Sequence, residues 1–178
     1  MEQQDDFIIP FRGLALEVHR FHYEIDGSFF EELEYTELQG AAVNVDLDLE
    51  RQERMLVLDF DIRGTVDVPC DRCLDNIAWP VDSRWQLIIK FGEVYEEESD
   101  DVIVIPHEQH QIDVTQYLFE YITLMVPIRK VHPDDEDGNS TCNPAMIRIL
   151  EQHQEHEDTD QRWDALRGLK DDLDSLEH

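Results

Sequence analysis

Apolar and polar residues alternate along three consecutive stretches in the first half of the chain. A period of two places the apolar side chains of each stretch on one face, which is typical of a half-buried β-strand. The apolar members are Val43, Val45, Leu47 and Leu49, then Leu56, Leu58, Phe60, Ile62, Val66 and Val68, and last Ile77, Trp79, Val81, Trp85, Leu87, Ile89 and Phe91. Three such stretches in a row predict an antiparallel β-meander.

The register of the first hairpin follows from keeping its apolar residues on one face. Pairing Leu49 with Leu56 creates four apolar pairs, all on the same side of the sheet. The same pairing sets Asp46 opposite Asp59, with Asp61 on the same side. A one-residue slip would bury these carboxylates, so we predict this register and an acidic sheet face around Asp46, Asp59 and Asp61.

Shorter elements surround the meander. The patterns predict two short strands within residues 7–25, a helical or irregular connection over 28–38, an acidic loop over 93–101, a short strand over 102–105 and a helix over 143–154. The main helix is predicted over residues 113–126, where apolar residues recur at helical spacing. Asp113 is its predicted N-cap, and Gln116 has the spacing of a capping box.

Together these elements predict an α+β fold, an antiparallel β-meander with one main packing helix and short C-terminal helices. We assign residues 1–154 to a single α+β domain, because the 178-residue chain suits one core with tails better than two domains. Residues 155–178 form a predicted acidic C-terminal tail, in which residues 163–173 have the pattern of a short amphipathic helix.

The net charge of the chain indicates which kinds of partner it can bind. Its 14 basic and 43 acidic residues give a net charge of −29. Nucleic-acid binders need lysine and arginine to displace counterions from phosphates, so an autonomous RNA-binding surface is not expected. Such a field attracts basic proteins, although the same acidity also serves solubility alone.

The location of the protein is predicted from two absences in the sequence. No run of about 18 apolar residues indicates a membrane span. The acidic N-terminus lacks the pattern of a signal peptide. A cytoplasmic protein with no membrane contact is therefore expected.

The most specific chemical feature is the C-x-x-C motif Cys70-Asp71-Arg72-Cys73, which falls between the second and third strands. Two thiolates at this spacing can converge on one metal ion, as in zinc ribbons. His132 and Cys142 can complete a set of three thiolates and one imidazole. We predict a structural zinc site formed by Cys70, Cys73, His132 and Cys142.

Two other interpretations of these thiols stay open. The cysteines can simply remain reduced at a turn, since His132 and Cys142 are distant in sequence. A redox-responsive or metal-binding cytoplasmic protein that uses the C-x-x-C thiols is the alternative from another class. A redox C-x-x-C, however, normally opens a helix, and this one lies between strands. The histidine pairs His107-x-x-His110 and His153-x-x-His156 also have ligand spacing, but their polar surroundings favour solvated side chains.

No phosphate-binding loop, nucleophile elbow or paired catalytic carboxylate is recognisable. We therefore expect no enzymatic activity and no small-molecule substrate.

Several short motifs resemble those of the YceD family, the large ribosomal RNA subunit accumulation proteins of bacteria and plastids. The resemblance rests on residues 68–74 around the C-x-x-C turn, residues 112–114, residues 124–128, His132 before Cys142, and residues 160–166. The segment between His132 and Cys142 is longer and more acidic than is usual in the family.

The resemblance implies a non-enzymatic cytoplasmic protein that supports the accumulation of large-subunit rRNA. Combined with the charge, it predicts action through a ribosomal precursor particle or a basic ribosomal protein. Asp46, Asp59 and Asp61 are the candidate contact residues. Direct RNA contact through Arg129-Lys130 is an open alternative with a small basic footprint.

Overall fold

The computed structural model describes residues 7–35 and 37–154 of the chain. This part has the predicted α+β fold. Its strands are β1 (Ile8–Ile9), β2 (Val18–Asp26), β3 (Gly40–Arg51), β4 (Met55–Pro69), β5 (Asn76–Gly92), β6 (Glu96–Ser99), β7 (Val102–Pro106) and β8 (Ile112–Asp113). Its α-helices are α1 (Gly27–Glu32), α2 (Thr115–Leu124) and α3 (Pro144–Gln154), and a 3₁₀ turn spans Phe11–Gly13. The predicted tail over 155–178 lies outside the described residues, so the domain boundary at 154 stays a prediction.

The main sheet has six strands in the order β2-β3-β4-β5-β7-β6. Strands β2 to β5 pair antiparallel with their neighbours, which confirms the predicted meander. Strand β7 lies parallel to β5, and β6 pairs antiparallel with β7 at the edge. A separate two-stranded sheet joins β1 to β8.

The prediction of a loop over residues 93–101 was wrong, because this segment contains β6. The side chains of Glu96, Glu97 and Glu98 are all exposed, so the strand has no apolar face to reveal it. An edge strand needs only backbone hydrogen bonds to one neighbour, and charged side chains keep its free edge from pairing with another chain.

The predicted register of the β3–β4 hairpin was wrong by two residues. Leu49 lies opposite Leu58 rather than Leu56, because the turn centres on Glu53 and Arg54 instead of one residue earlier. A shift of two residues keeps every side chain on its face. The predicted apolar and acidic faces are therefore both present, with Asp46 opposite Asp61.

One face of the sheet is buried under the helices and the N-terminal segment. The ring of Tyr121 on α2 stacks on Trp85 of β5, with centroids 4.8 Å apart, and meets Phe60 of β4 edge-on. Phe7, ahead of β1, packs against Phe29 of α1. These aromatic contacts place the helical layer on the apolar face of the meander and leave the acidic face to solvent.

The predicted N-cap of α2 was wrong: the helix begins at Thr115 and Val114 occupies the N-cap position, so Asp113 lies one residue before it. The Asp113 carboxylate accepts a hydrogen bond from the Thr115 N–H at 2.9 Å, so this side chain does satisfy an amide of the first turn. Gln116 does not reach back to complete the box; its amide donates to Glu120 at 2.7 Å. Among the described residues, no helix has both the length and the apolar character required to cross a membrane.

Gly64 in the middle of β4 provides a test of the sheet geometry. Its φ of 156° is a conformation that side-chain-bearing residues rarely adopt, and a Cβ there would lie 2.2 Å from the Ala42 carbonyl oxygen. We expect Gly64→Ala to lower the free energy of unfolding by roughly 2 kcal/mol or more. At Gly13 a Cβ meets nothing within 4 Å, so Gly13→Ala is the matched control and should change stability by less than about 0.5 kcal/mol. Urea unfolding measures both, and equal effects would contradict the assigned register.

Candidate metal centre

The tip of the β4–β5 hairpin is a tight turn that contains both cysteines of the C-x-x-C motif. The Leu74 N–H donates to the Cys70 carbonyl and the Cys70 N–H donates to the Asp75 carbonyl, each at 2.9 Å. Leu74 adopts a left-handed φ of 65°, which reverses the chain directly after Cys73. Both cysteines are buried, so the turn holds its thiols on the protein side and not towards solvent.

A pair of hydrogen bonds joins this tip to the segment that follows α2. The Asp71 N–H donates to the Lys130 carbonyl, and the Asp71 carboxylate accepts from the Lys130 N–H, both at 2.6 Å. The two residues are 59 positions apart in sequence. Hydrogen bonds to a charged group are stronger than neutral ones, so Asp71 fixes the position of the segment that leads into His132.

Two further side-chain contacts join the tip to the segment before α3. The Arg72 guanidinium donates to the Ser140 hydroxyl at 3.0 Å, and the Asn143 amide donates to the Asp75 carboxylate at 3.1 Å. Together with the Asp71–Lys130 pair, these contacts form what we call the clasp. The clasp holds both flanks of the acidic segment 133–141 against the hairpin tip.

The acidic segment itself folds back so that its two ends meet. The Asp135 carboxylate accepts from the N–H groups of Asp137 and Asn139 at 3.0 and 2.7 Å, and these bonds at Asn139 in particular hold the pKa of Asp135 below its usual value. Asp134 forms an isolated β-bridge with Ser140. The extra length of this segment therefore does not separate His132 from Cys142.

The four predicted metal ligands lie together at the clasp. Their sulfur and nitrogen atoms all lie within 4.8 Å of one another. The Sγ atoms of Cys70 and Cys142 are 3.8 Å apart, and the His132 Nδ1 is 3.4 Å from the Cys73 Sγ and 3.9 Å from the Cys142 Sγ. We call this group the Cys₃His cluster; it unites the hairpin tip with the segments before and after residues 133–141.

The geometry of the Cys₃His cluster fits a small, soft, divalent metal ion. A tetrahedral site with zinc–sulfur bonds of about 2.3 Å has sulfur–sulfur edges of roughly 3.8 Å, which is the separation of Cys70 from Cys142. Thiolate and imidazole are the ligands that zinc prefers, and no carboxylate belongs to the group. Four protein ligands leave no open position, as in structural sites and unlike catalytic ones.

The pKa shifts of the cluster differ from ligand to ligand: they are lowered at Cys70 and Cys142 and raised at Cys73 and His132. Burial raises the pKa of the Cys70 thiol, but hydrogen bonds from the Cys73 and Arg72 N–H groups and from His132 outweigh it and lower the pKa to about 6. The pKa of Cys142 is lowered chiefly by the Ser140 hydroxyl, whereas burial raises the pKa of Cys73. Three adjacent thiolates repel one another, and a divalent ion removes that repulsion.

Other histidines stand apart from the cluster. His107 and His110 are exposed, and neither joins a group of potential metal ligands among the described residues. The side chain of His153 is also exposed, and His156 lies outside the described part of the chain.

The candidate contact residues Asp46, Asp59 and Asp61 share the outer face of the sheet. Asp46 lies opposite Asp61, and Asp59 lies opposite Asp48, so like charges do meet across β3 and β4. Neighbouring side chains offset this repulsion. Arg63 and Arg84 approach the Asp61 carboxylate at 2.6 and 3.0 Å.

The remaining acids of this face have weaker compensation. Asp46 contacts the His22 imidazole at 2.8 Å, and Asp59 accepts from the uncharged Gln86 amide at 2.7 Å. A shallow depression of about 490 Å³ runs between them. The outer face is thus acidic at Asp46 and Asp59 and largely neutralised at Asp61.

The contacts that form the clasp were not predicted from the sequence. No role was predicted for Arg72, Ser140 and Asn143. The C-x-x-C motif did offer an indirect signal for these contacts, since a turn that binds metal needs polar partners to orient its ligands.

Comparison with known proteins agrees with the motifs. The family described as large ribosomal RNA subunit accumulation protein YceD matches residues 58–170, which is more than half of the 178-residue chain. The chain is also 25% identical over 119 residues to the uncharacterized protein YlbN of Bacillus subtilis (strain 168), covering 66% of this chain and 68% of that protein. No solved structure matches the chain. The matched region begins within β4 and includes all four residues of the Cys₃His cluster, and on this evidence the chain belongs to the YceD family.

Proposed function

We propose that this protein is a non-enzymatic factor that supports the accumulation of large-subunit rRNA during ribosome biogenesis. The observation that carries the proposal is the YceD family match over residues 58–170. The closed donor set of the Cys₃His cluster agrees with a structural role, because a catalytic metal needs an open position.

In this proposal a zinc ion at Cys70, Cys73, His132 and Cys142 stabilises the clasp. The ion supplies a stable cross-link between parts of the chain that are distant in sequence, and it contributes its binding free energy to folding. The metal then helps to keep the fold that carries the proposed contact surface, the acidic sheet face, in one conformation.

The partner in this proposal is a basic ribosomal protein or a ribosomal precursor particle. The net charge of −29 favours a basic protein over naked RNA, whose phosphates this field repels. Arg129 is exposed, but Lys130 is half-buried beside Asp71. The Arg129-Lys130 pair is therefore a poor contact site for RNA phosphates.

The function is tested by removing the protein from cells. We expect the ratio of large-subunit to small-subunit rRNA to fall in cells that lack the chain, and to recover when the wild-type chain is restored. Quantification of both rRNAs from total RNA measures this ratio. An unchanged ratio in the depleted cells would overturn the proposed function.

The acidic sheet face is tested by charge reversal. The triple variant Asp46→Lys, Asp59→Lys and Asp61→Lys should lose co-purification with large-subunit precursors, because it replaces attraction to a basic partner by repulsion. A control with three exposed acids reversed elsewhere, Glu17→Lys, Glu53→Lys and Glu136→Lys, has the same net charge and should retain it. Equal recovery of both variants would exclude the sheet face as the contact surface.

The zinc site is tested by elemental analysis of protein that has never met a chelator. We expect about one zinc per chain in the wild type. His132→Ala should lose the zinc and unfold at lower urea, whereas the exposed His110→Ala should retain it.

The redox alternative predicts a different result in the same samples. It requires metal-free wild-type protein in which Cys70 and Cys73 form a reversible disulfide near cytosolic potentials. The low pKa of Cys70, about 6, is typical of reactive thiols as well as of metal ligands and does not distinguish them. The zinc content and the redox state of Cys70 and Cys73 do distinguish the zinc site from the redox alternative.

A further inference from the structure

A groove lies between α2 and the β7–β6 edge of the sheet, and Trp85 lines both this groove and the depression on the acidic sheet face. Its volume is about 870 Å³, which is enough for two or three side chains of a bound peptide. Trp85, Tyr117 and Tyr121 form an aromatic wall. In this wall the rings of Trp85 and Tyr121 are stacked almost parallel, at an interplanar angle of 3°.

The rim of the groove is acidic. Of the sixteen described residues that line it, five are carboxylates and none is basic. These acids are Glu97, Asp100, Asp101, Asp113 and Glu120. Asp101 and Glu120 are exposed, so their charges face whatever enters the groove.

Two polar atoms of the aromatic wall are buried without a hydrogen-bond partner among the described residues. They are the Tyr121 hydroxyl and the Trp85 indole N–H. Tyr121 is only 5% exposed, and such an orphaned group costs free energy unless a bound molecule satisfies it. This observation is independent of the acidic rim, and both residues line the groove.

The electrostatic surroundings of the tyrosines agree with a site for a cation. Burial raises the pKa of Tyr117 to about 12, and the charges of Tyr95, Glu120 and Glu97 add to the shift. The pKa of Tyr121 is raised by burial and then by Asp101. Both groups thus sit in a negative potential inside an apolar site.

We propose that this groove binds an arginine-containing segment of a basic protein partner. A guanidinium stacks on aromatic rings, donates to the Tyr121 hydroxyl and pairs with the rim carboxylates, whereas the segment's backbone carbonyl accepts from the Trp85 indole N–H. The inference rests on the proposed function for the identity of the partner, but not for the binding itself. RNA has no cation to place in the groove, and its phosphates meet only carboxylates there.

The test uses the full purified chain and a fluorescent peptide of four Arg-Gly repeats. Fluorescence anisotropy should show saturable binding that weakens with salt, and the Trp85 indole N–H signal in NMR should shift on titration. A matched peptide with citrulline for arginine keeps the shape and loses the charge, and it should not bind. Single-stranded RNA of similar length should not bind either.

Tyr121→Phe separates a binding role from a structural one. It removes the orphaned hydroxyl and keeps the ring, so its stability should equal or exceed that of the wild type. Its affinity for the arginine peptide should fall roughly tenfold, since a hydrogen bond from a charged donor is lost. The proposal would be overturned if Tyr121→Phe bound the peptide as tightly as the wild type and if the peptide did not shift the Trp85 indole N–H signal.

Charge reversal on the rim provides the second variant. Asp101→Lys with Glu120→Lys should weaken peptide binding by about 100-fold, because two attractive charges become repulsive. The control Glu17→Lys with Glu53→Lys makes the same change in net charge at exposed positions outside the groove. Equal weakening by both pairs would show that the overall field alone holds the peptide, and would overturn the proposal.

Other occupants give distinct results. If the Trp85 signal shifts with protein concentration alone, the groove is occupied by a second copy of the chain. If RNA binds and its binding depends on Tyr121, the groove is a nucleic-acid site. Either result overturns the proposal. The peptide assay contains no ribosome. An unchanged rRNA ratio in depleted cells would therefore overturn the proposed function without deciding whether the groove binds the arginine peptide.

Discussion

The arrangement of the site depends on the link between the β4–β5 hairpin tip and the segment that runs from α2 to α3. Three thiols and an imidazole meet there within 4.8 Å, although Cys70 and Cys142 are 72 positions apart. Closing a loop of that length costs conformational entropy, which must be recovered from local contacts. The Asp71–Lys130 hydrogen bonds recover part of it. In the proposed zinc site, coordination by four ligands would recover more. The segment 133–141 carries many charges and few apolar groups, so these polar contacts rather than core burial hold it in place.

The faces of the sheet could be predicted from the sequence, but its pairings could not. A period of two decides which side of a strand is buried, and this sufficed for β3, β4 and β5. Register carries no such signal when a shift of two residues leaves every face unchanged, so the turn at Glu53 and Arg54 was misplaced. Similarly, no local pattern states that β7 inserts between β5 and β6. That placement depends on contacts between distant residues, and β6 itself has no apolar residue to mark it.

The Cys₃His cluster could be predicted from the sequence for a different reason. Soft-metal chemistry admits few side chains, and a chain with three cysteines offers few combinations. The groove beside α2 had no comparable signal. Tyr121 belongs to the apolar face of that helix, and its ring does lie in the core. Only the structure reveals that its hydroxyl has no partner among the described residues, because hydrogen-bond satisfaction is a property of the assembled environment and not of spacing.

The clasp and the groove are connected through α2. The helix ends at Leu124, and six residues later Lys130 is held by Asp71 at the hairpin tip. The helix also contacts the hairpin through its packed face, since Tyr121 is stacked on Trp85 of β5 and β5 starts at the same hairpin tip. The hairpin tip is therefore connected to α2 in two ways, through the segment that follows the helix and through the packed face of the helix. Since α2 forms one wall of the groove, the same helix joins the groove to the segment that carries His132 of the Cys₃His cluster.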